Sequence, residues 1–153
     1  MAGIPEVLSA IQNLAASDAD PAELMADIVR LLQRERQHYH WVGIYLLDGG
    51  ELVLGPFVGK PTPHTHIPLN KGICGAAASS GKTLVVDDVH SDQRYLACSL
   101  ETRSEIVVPI LRGGRVLGEI DIDSDMPAAF WQEDRDLLEA VAKILASKLP
   151  SES

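Results

Sequence analysis

Two period-two runs, "SEIVVPIL" (Ser104 to Leu111) and "RVLGEIDIDS" (Arg115 to Ser124), flank the turn residues "RGG" and constrain the fold more than any other stretch. Alternating side chains on either side of a glycine pair specify an antiparallel hairpin. Register is then restricted, because a slip of one residue carries every side chain to the opposite face. A three-residue loop, Arg112 to Gly114, pairs Ile106 with Ile120, Val108 with Gly118 and Ile110 with Val116, which assembles one apolar face. The other face carries Glu105 opposite Asp121, with Glu119 and Asp123 at alternate positions. A two-residue loop would mix the acids with the isoleucines. Two readings of the acidic face stand. It is a solvated sheet surface, or it is a site where crowded, desolvated carboxyls raise one another's pKa until one keeps a proton and can donate to a polar oxygen.

The rest of the chain organises around this hairpin. Leu8, Ile11 and Leu14, then Leu24, Met25, Ile28, Val29 and Leu32, recur at helical spacing. "DPAE" predicts a start for the second helix, with Asp20 as cap, proline at the first helical position and Glu23 reaching back. "WVGIYLL", the turn "DGG" and "ELVLGPF" read as a first hairpin. The prolines of "KPTPHTHIPLNKG" forbid a central strand there, which leaves a loop entering a short edge strand at His64 to Ile67. "GICGAAASSG" is a small-residue helix closed by Gly81, and "TLVVDD" a strand. "VHSDQRYLACSLETR" is a long, mostly irregular segment with room for a turn or two of helix, and "WQEDRDLLEAVAKILASKL" a closing helix. The expectation is one α+β domain over residues 1–153. Helices of residues 1–36 and the closing helix cover one face of a mixed antiparallel sheet, and the other face is free to hold a ligand.

A net charge of −9 with no basic cluster argues against nucleic acid. No apolar run approaches the ~20 residues that cross a bilayer, and no secretory leader pattern is present, so a soluble cytoplasmic protein is expected. Two cysteines, Cys74 and Cys98, are too few for a disulfide scaffold. Cys74 lies among small residues suited to tight packing, where a buried inert thiol is the default. Cys98 sits in the irregular segment, seven positions before Glu105, where access makes it the better candidate for chemistry. Trp41 and Tyr45 share a face of "WVGIY" with Gly43 between them. They flank a notch open to a cation or a polarisable sulfur, or they are a core pair whose crowding the glycine relieves. His64, His66 and His90 show no zinc-ligand spacing with the thiols, so no metal site is expected.

Taken together, "HWVGIYLL", "LVLGPFVGK", "IPLNKGICGAAA", "VVDDVH", "YLAC", "SEIVVPI" and "GEIDIDS" closely resemble the free methionine-(R)-sulfoxide reductases, which are stand-alone GAF domains. The likeness runs from about Trp41 to Leu145, with a GAF core over 41–149. It implies that Cys98 is the nucleophile and that Cys74 is the cysteine of "GxCG". It also implies that Glu105, Asp121 and Asp123 hold the substrate oxygen, and that Trp41 and Tyr45 form an aromatic wall. Family members commonly carry a third, resolving cysteine where this chain has His64.

The resemblance implies an enzyme that reduces free L-methionine-(R)-sulfoxide through a cysteine sulfenic acid. It needs no cofactor beyond an external thiol reductant such as thioredoxin or glutathione. The alternative is a GAF module that senses a small molecule or redox state without turnover. A homodimer built on the N-terminal helices is compatible with either.

Overall fold

Helical periodicity at both ends and strand periodicity between them set the architecture of the computed structural model, which describes residues 3–96 and 100–150. Helices α1 (Ile4–Ala15) and α2 (Pro21–Glu35) lead into strands β1 (Trp41–Asp48), β2 (Glu51–Val58) and β3 (His66–Pro68). Helix α3 (Gly72–Ser80), strand β4 (Leu84–Val86) and a 3-10 turn (Val89–Ser91) follow. The second hairpin is β5 (Ser104–Arg112) with β6 (Arg115–Ser124), and α4 (Gln132–Lys148) closes the chain. The strands form one sheet in the order β3-β2-β1-β6-β5-β4, with every pairing antiparallel.

One face of that sheet presents Val42, Ile44, Ile106, Val108, Ile110, Ile120 and Ile122 to α1, α2 and α4. Val7 and Ile11, Leu24, Ile28 and Leu32, and Leu137, Leu138, Val141 and Leu145 pack against it from the helices. Burial of each such aliphatic side chain stabilises the fold by about 1.5–3 kcal/mol. Helix α3 lies on the opposite face, where Ile73, Cys74, Ala77 and Ala78 meet Trp41, Tyr45, Leu52, Ile67 and Val107. Small residues are required there: a Cβ on Gly75 would fall 2.9 Å from the carbonyl oxygens of Pro68 and Leu69. Gly81 ends the helix in the left-handed conformation, at φ 68°.

Three local expectations are corrected. Pro21 opens α2, but Asp20 makes no side-chain cap. The edge strand forms at His66–Pro68 rather than His64 to Ile67, because Thr62 Oγ1 accepts the His64 N–H and holds that residue in a local turn. The third concerns the register of β5 against β6. Glu105 pairs with Asp123, Ile106 with Ile122, Val108 with Ile120 and Ile110 with Gly118, two residues away from the pairing that a three-residue loop predicts. The connection is the two-residue turn Gly113–Gly114, both at positive φ. A bulge then shifts register between Ile110 and Leu111, leaving Leu117 as the extra residue on β6. Turn and bulge together restore the parity, so the acidic and apolar faces are those the alternation specifies. At the bulge β1 approaches so closely that a Cβ on Gly118 would lie 2.2 Å from the Tyr45 carbonyl oxygen.

Candidate active site

Between the sheet and α3 lies a cavity, partly open to solvent. The sheet supplies Trp41 and Tyr45 from β1, Glu105 from β5, and Asp121 and Asp123 from β6. These converge because β1 and β6 pair directly, with Trp41 beside Asp123 and Tyr45 beside Glu119, while β5 brings Glu105 beside Asp123. Helix α3 supplies Cys74, which the close packing of Gly75 on the 68–69 backbone turns toward the sheet. Tyr95 and Leu96 close one side, with Leu96 lying over Gly72. The β2–β3 loop closes another: Trp41 Nε1 donates to the Lys60 carbonyl at 2.9 Å, and Tyr45 Oη donates to the His64 carbonyl at 2.7 Å.

The aromatic pair therefore both lines the cavity and anchors its wall. Gly43 does not leave an open notch, since the Trp41 ring lies across it and would come within 2.4 Å of an added Cβ. That ring stacks on Phe57 at 5.7 Å and tilts against Tyr45 at 6.5 Å.

The acidic residues are buried, which removes the solvated-surface reading. Glu105, Asp121 and Asp123 are 4–5 % exposed and Glu119 is fully covered. Burial raises the Glu105 pKa well above the usual carboxylate range, and repulsion from Asp121 and Asp123 adds to it. For Asp121 burial also dominates upward, opposed by hydrogen bonds from Glu105 and Cys74. Both carboxyls of the Glu105–Asp121 pair are thus pushed upward, Glu105 well above its ordinary value. Cys74 Sγ donates to Asp121 Oδ2 at 3.4 Å. Burial, then the negative fields of Asp121, Glu119 and Glu105, push the Cys74 pKa well up, so it remains a thiol at neutral pH. Asp121 Oδ1, also buried, has no hydrogen-bond partner among the described residues and is available to a ligand.

The GAF domain family matches residues 20–149 of the chain. Free methionine-R-sulfoxide reductase of Escherichia coli (strain K12) is 34% identical over 138 residues, covering 88% of this chain and 83% of the relative. The X-ray structure of free methionine-R-sulfoxide reductase from Neisseria meningitidis in complex with its substrate superposes with a TM-score of 0.90 at 39% identity, covering 95% of this chain and 87% of that one. The chain belongs to the free methionine-R-sulfoxide reductase family of GAF domains. A type II reductase of that family from Thermoplasma acidophilum is also similar, at 41% identity and TM-score 0.81, covering 83% of this chain and 90% of that one.

Seen as a member of this family, the chain brings together six of the seven residues expected at its site: Trp41, Tyr45, Cys74, Glu105, Asp121 and Asp123 all line one cavity. The seventh, Cys98, lies outside the described residues. His64, where the resemblance implies a third cysteine in other family members, lines the same cavity. Glu119 was visible on the acidic face but carried no role. It is buried beside the site, raised well above its ordinary pKa by burial and by Asp121, with the nearby Cys74 thiol acting in the opposite direction. Neither of its oxygens meets hydrogen-bond geometry with a described residue, so the Cys74 influence is that of a close neighbour rather than a formed bond. A second recess shares Trp41, Thr62 and Asp123 with the first, and the exposed pair Lys60–Glu101, 2.5 Å apart, lies on its rim. No helix of the described residues is long and apolar enough to cross a membrane.

Proposed function

We propose that the chain reduces free L-methionine-(R)-sulfoxide to methionine with electrons from an external thiol. The observation that carries this reading is the convergence of three buried carboxyls, Glu105, Asp121 and Asp123, and an aromatic wall on one cavity, in a chain similar to a reductase captured with its substrate.

Glu105 donates its proton toward the sulfoxide oxygen, with Asp121 and Asp123 fixing its orientation, and the polarised S–O bond leaves sulfur electrophilic. The Cys98 thiolate attacks that sulfur. An S–S bond forms as the S–O bond breaks and the oxygen leaves as hydroxide with the proton from Glu105; that hydroxide then adds to the Cys98 sulfur as the S–S bond breaks, so methionine departs and Cys98 is left as sulfenic acid. A second thiol condenses with the sulfenic acid, forming a disulfide and releasing water, and a further thiol reduces the disulfide. Trp41 and Tyr45 shape the wall against the thioether group. Cys74 is a poor resolving group, because its thiol is buried, bonded to Asp121 and held protonated, whereas attack requires thiolate. An external thiol of the thioredoxin or glutathione type therefore takes that step.

The test mixes the purified chain with each methionine sulfoxide epimer and dithiothreitol and measures methionine. Release from the R epimer alone is expected, and release from neither overturns the reading. Cys98→Ser should abolish single-turnover product while leaving substrate binding in place.

A further inference from the structure

Four carboxyls and a thiol, Glu105, Glu119, Asp121, Asp123 and Cys74, are gathered at one place on the sheet, each at least nine-tenths buried. The described residues that line the cavity include no lysine or arginine. Such a cluster needs either protons or a cation to neutralise it. Its geometry suits a cation. One ligand atom each from Cys74, Glu105 and Asp121 can be chosen so that all three lie within 4.8 Å of one another. The Cys74 Sγ–Asp121 Oδ2 separation is 3.4 Å. A tetrahedral zinc ion with Zn–S of about 2.3 Å and Zn–O of about 2.1 Å places those two atoms about 3.6 Å apart. A second observation also points to a missing ligand: Asp121 Oδ1 and both Glu119 oxygens are buried without hydrogen-bond partners among the described residues.

We propose that Cys74, Glu105 and Asp121 form a binding site for a borderline-soft divalent cation of the zinc type. A thiolate ligand selects against magnesium and calcium, which prefer all-oxygen shells of six or more ligands. Three ligands from the chain leave a fourth position for solvent. The cation displaces the thiol proton and the carboxyl proton, both of which pass to solvent, and no electrons are transferred. It occupies the place of the sulfoxide oxygen, so reductase activity and metal occupancy exclude each other. That exclusion rests on the reductase reading, whereas binding of the metal does not.

The test uses Co²⁺ as an optical probe, without substrate. In the Cys98→Ser chain Cys74 is the remaining thiol of the two in the sequence. Under reducing, oxygen-free conditions this chain should develop a thiolate-to-cobalt charge-transfer band that saturates at one equivalent and disappears on adding Zn²⁺, which binds such sites more tightly. Glu105→Gln in the same background should weaken Co²⁺ binding by at least about tenfold, the scale seen even for outer-shell partners of metal sites. Three outcomes overturn the proposal: no charge-transfer band in the Cys98→Ser chain, a band indifferent to Glu105→Gln in a variant whose circular dichroism shows it folded, or displacement of Co²⁺ by equimolar Mg²⁺. None of these depends on whether methionine sulfoxide is the substrate.

Discussion

The Cys74 sulfur stands 3.4 Å from Asp121 Oδ2, joining the helix that covers the pocket to a carboxyl on a central strand beneath it. Burial and mutual repulsion push the Cys74 thiol and the Glu105 carboxyl well above their ordinary values, and burial raises Asp121 as well. The arrangement favours proton donation and disfavours thiolate formation at Cys74. On the proposed function, recycling falls to a thiol other than Cys74 and acid chemistry to Glu105.

Glu105→Gln preserves the shape of the side chain and removes the ionisable proton. Single-turnover formation of methionine should slow by about 10²-fold, in the range for loss of a general acid or an oxyanion-type donor. Rapid-quench measurement at saturating substrate reads the effect directly. An unchanged rate would leave Glu105 without a part in the chemistry.

His64→Cys restores the thiol that the family commonly carries at this position, on the wall of the cavity. Turnover supported by thioredoxin should rise relative to that supported by dithiothreitol. Peptide mapping after one equivalent of substrate should find a disulfide from residue 64 to Cys98. In the unsubstituted chain the same mapping should find little Cys74–Cys98 disulfide, and a stoichiometric yield there would make Cys74 the resolving group.

Asp134 at the start of α4 accepts from the Trp131 N–H at 2.8 Å, from Tyr39 Oη at 2.5 Å and from Arg36 at 2.9 Å, with His38 Nε2 further off at 3.6 Å. Burial works to raise its pKa, but these bonds and the Arg36 charge outweigh it and hold the carboxyl below its ordinary value. A depressed folded pKa contributes stability that is fully present above the unfolded value of about 3.9 and is lost as pH falls through the folded one. Asp134→Asn should therefore cost about 2 kcal/mol at pH 7, and the gap to the unsubstituted protein should narrow in acid. Urea unfolding at pH 7 and pH 3 would check this, and an equal gap at both would remove the carboxylate as its source.

Gly118→Ala places a methyl group against the Tyr45 carbonyl oxygen, where backbone faces backbone and neither can yield locally. A loss of about 3 kcal/mol is expected from chemical denaturation. A loss under about 0.5 kcal/mol, the range of ordinary surface changes, would mean that the bulge relaxes freely.

The same glycine explains where the sequence was legible and where it was not. Alternation alone separates Ile106, Val108, Ile120 and Ile122 from Glu105, Glu119, Asp121 and Asp123, because side-chain parity is local information. The partner of each residue is not local: it depends on the Leu117–Gly118 bulge, where β1, a strand some seventy residues earlier in the chain, passes close to Gly118. Trp41 and Tyr45 were readable as a pair. Their bonds to the Lys60 and His64 carbonyls were not, since a backbone acceptor leaves no trace in side-chain pattern. The Cys74–Asp121 contact was hidden for a related reason, being fixed by the fit of Gly75 against the 68–69 carbonyls.

Strand β6 turns Ile120 and Ile122 to the helices and Glu119, Asp121 and Asp123 to the pocket side. On the proposed function, the demands of chemistry and of folding would fall on interleaved, non-overlapping sets of codons within five consecutive positions. A library randomised at 119, 121 and 123 should stay largely folded, and many of its members should melt higher than the parent, since each apolar replacement removes a buried acid. Acidity at these positions would then be a cost in durability that the chemistry sustains, and a lineage released from that chemistry should drift toward valine and isoleucine there while its helix-facing positions stand still.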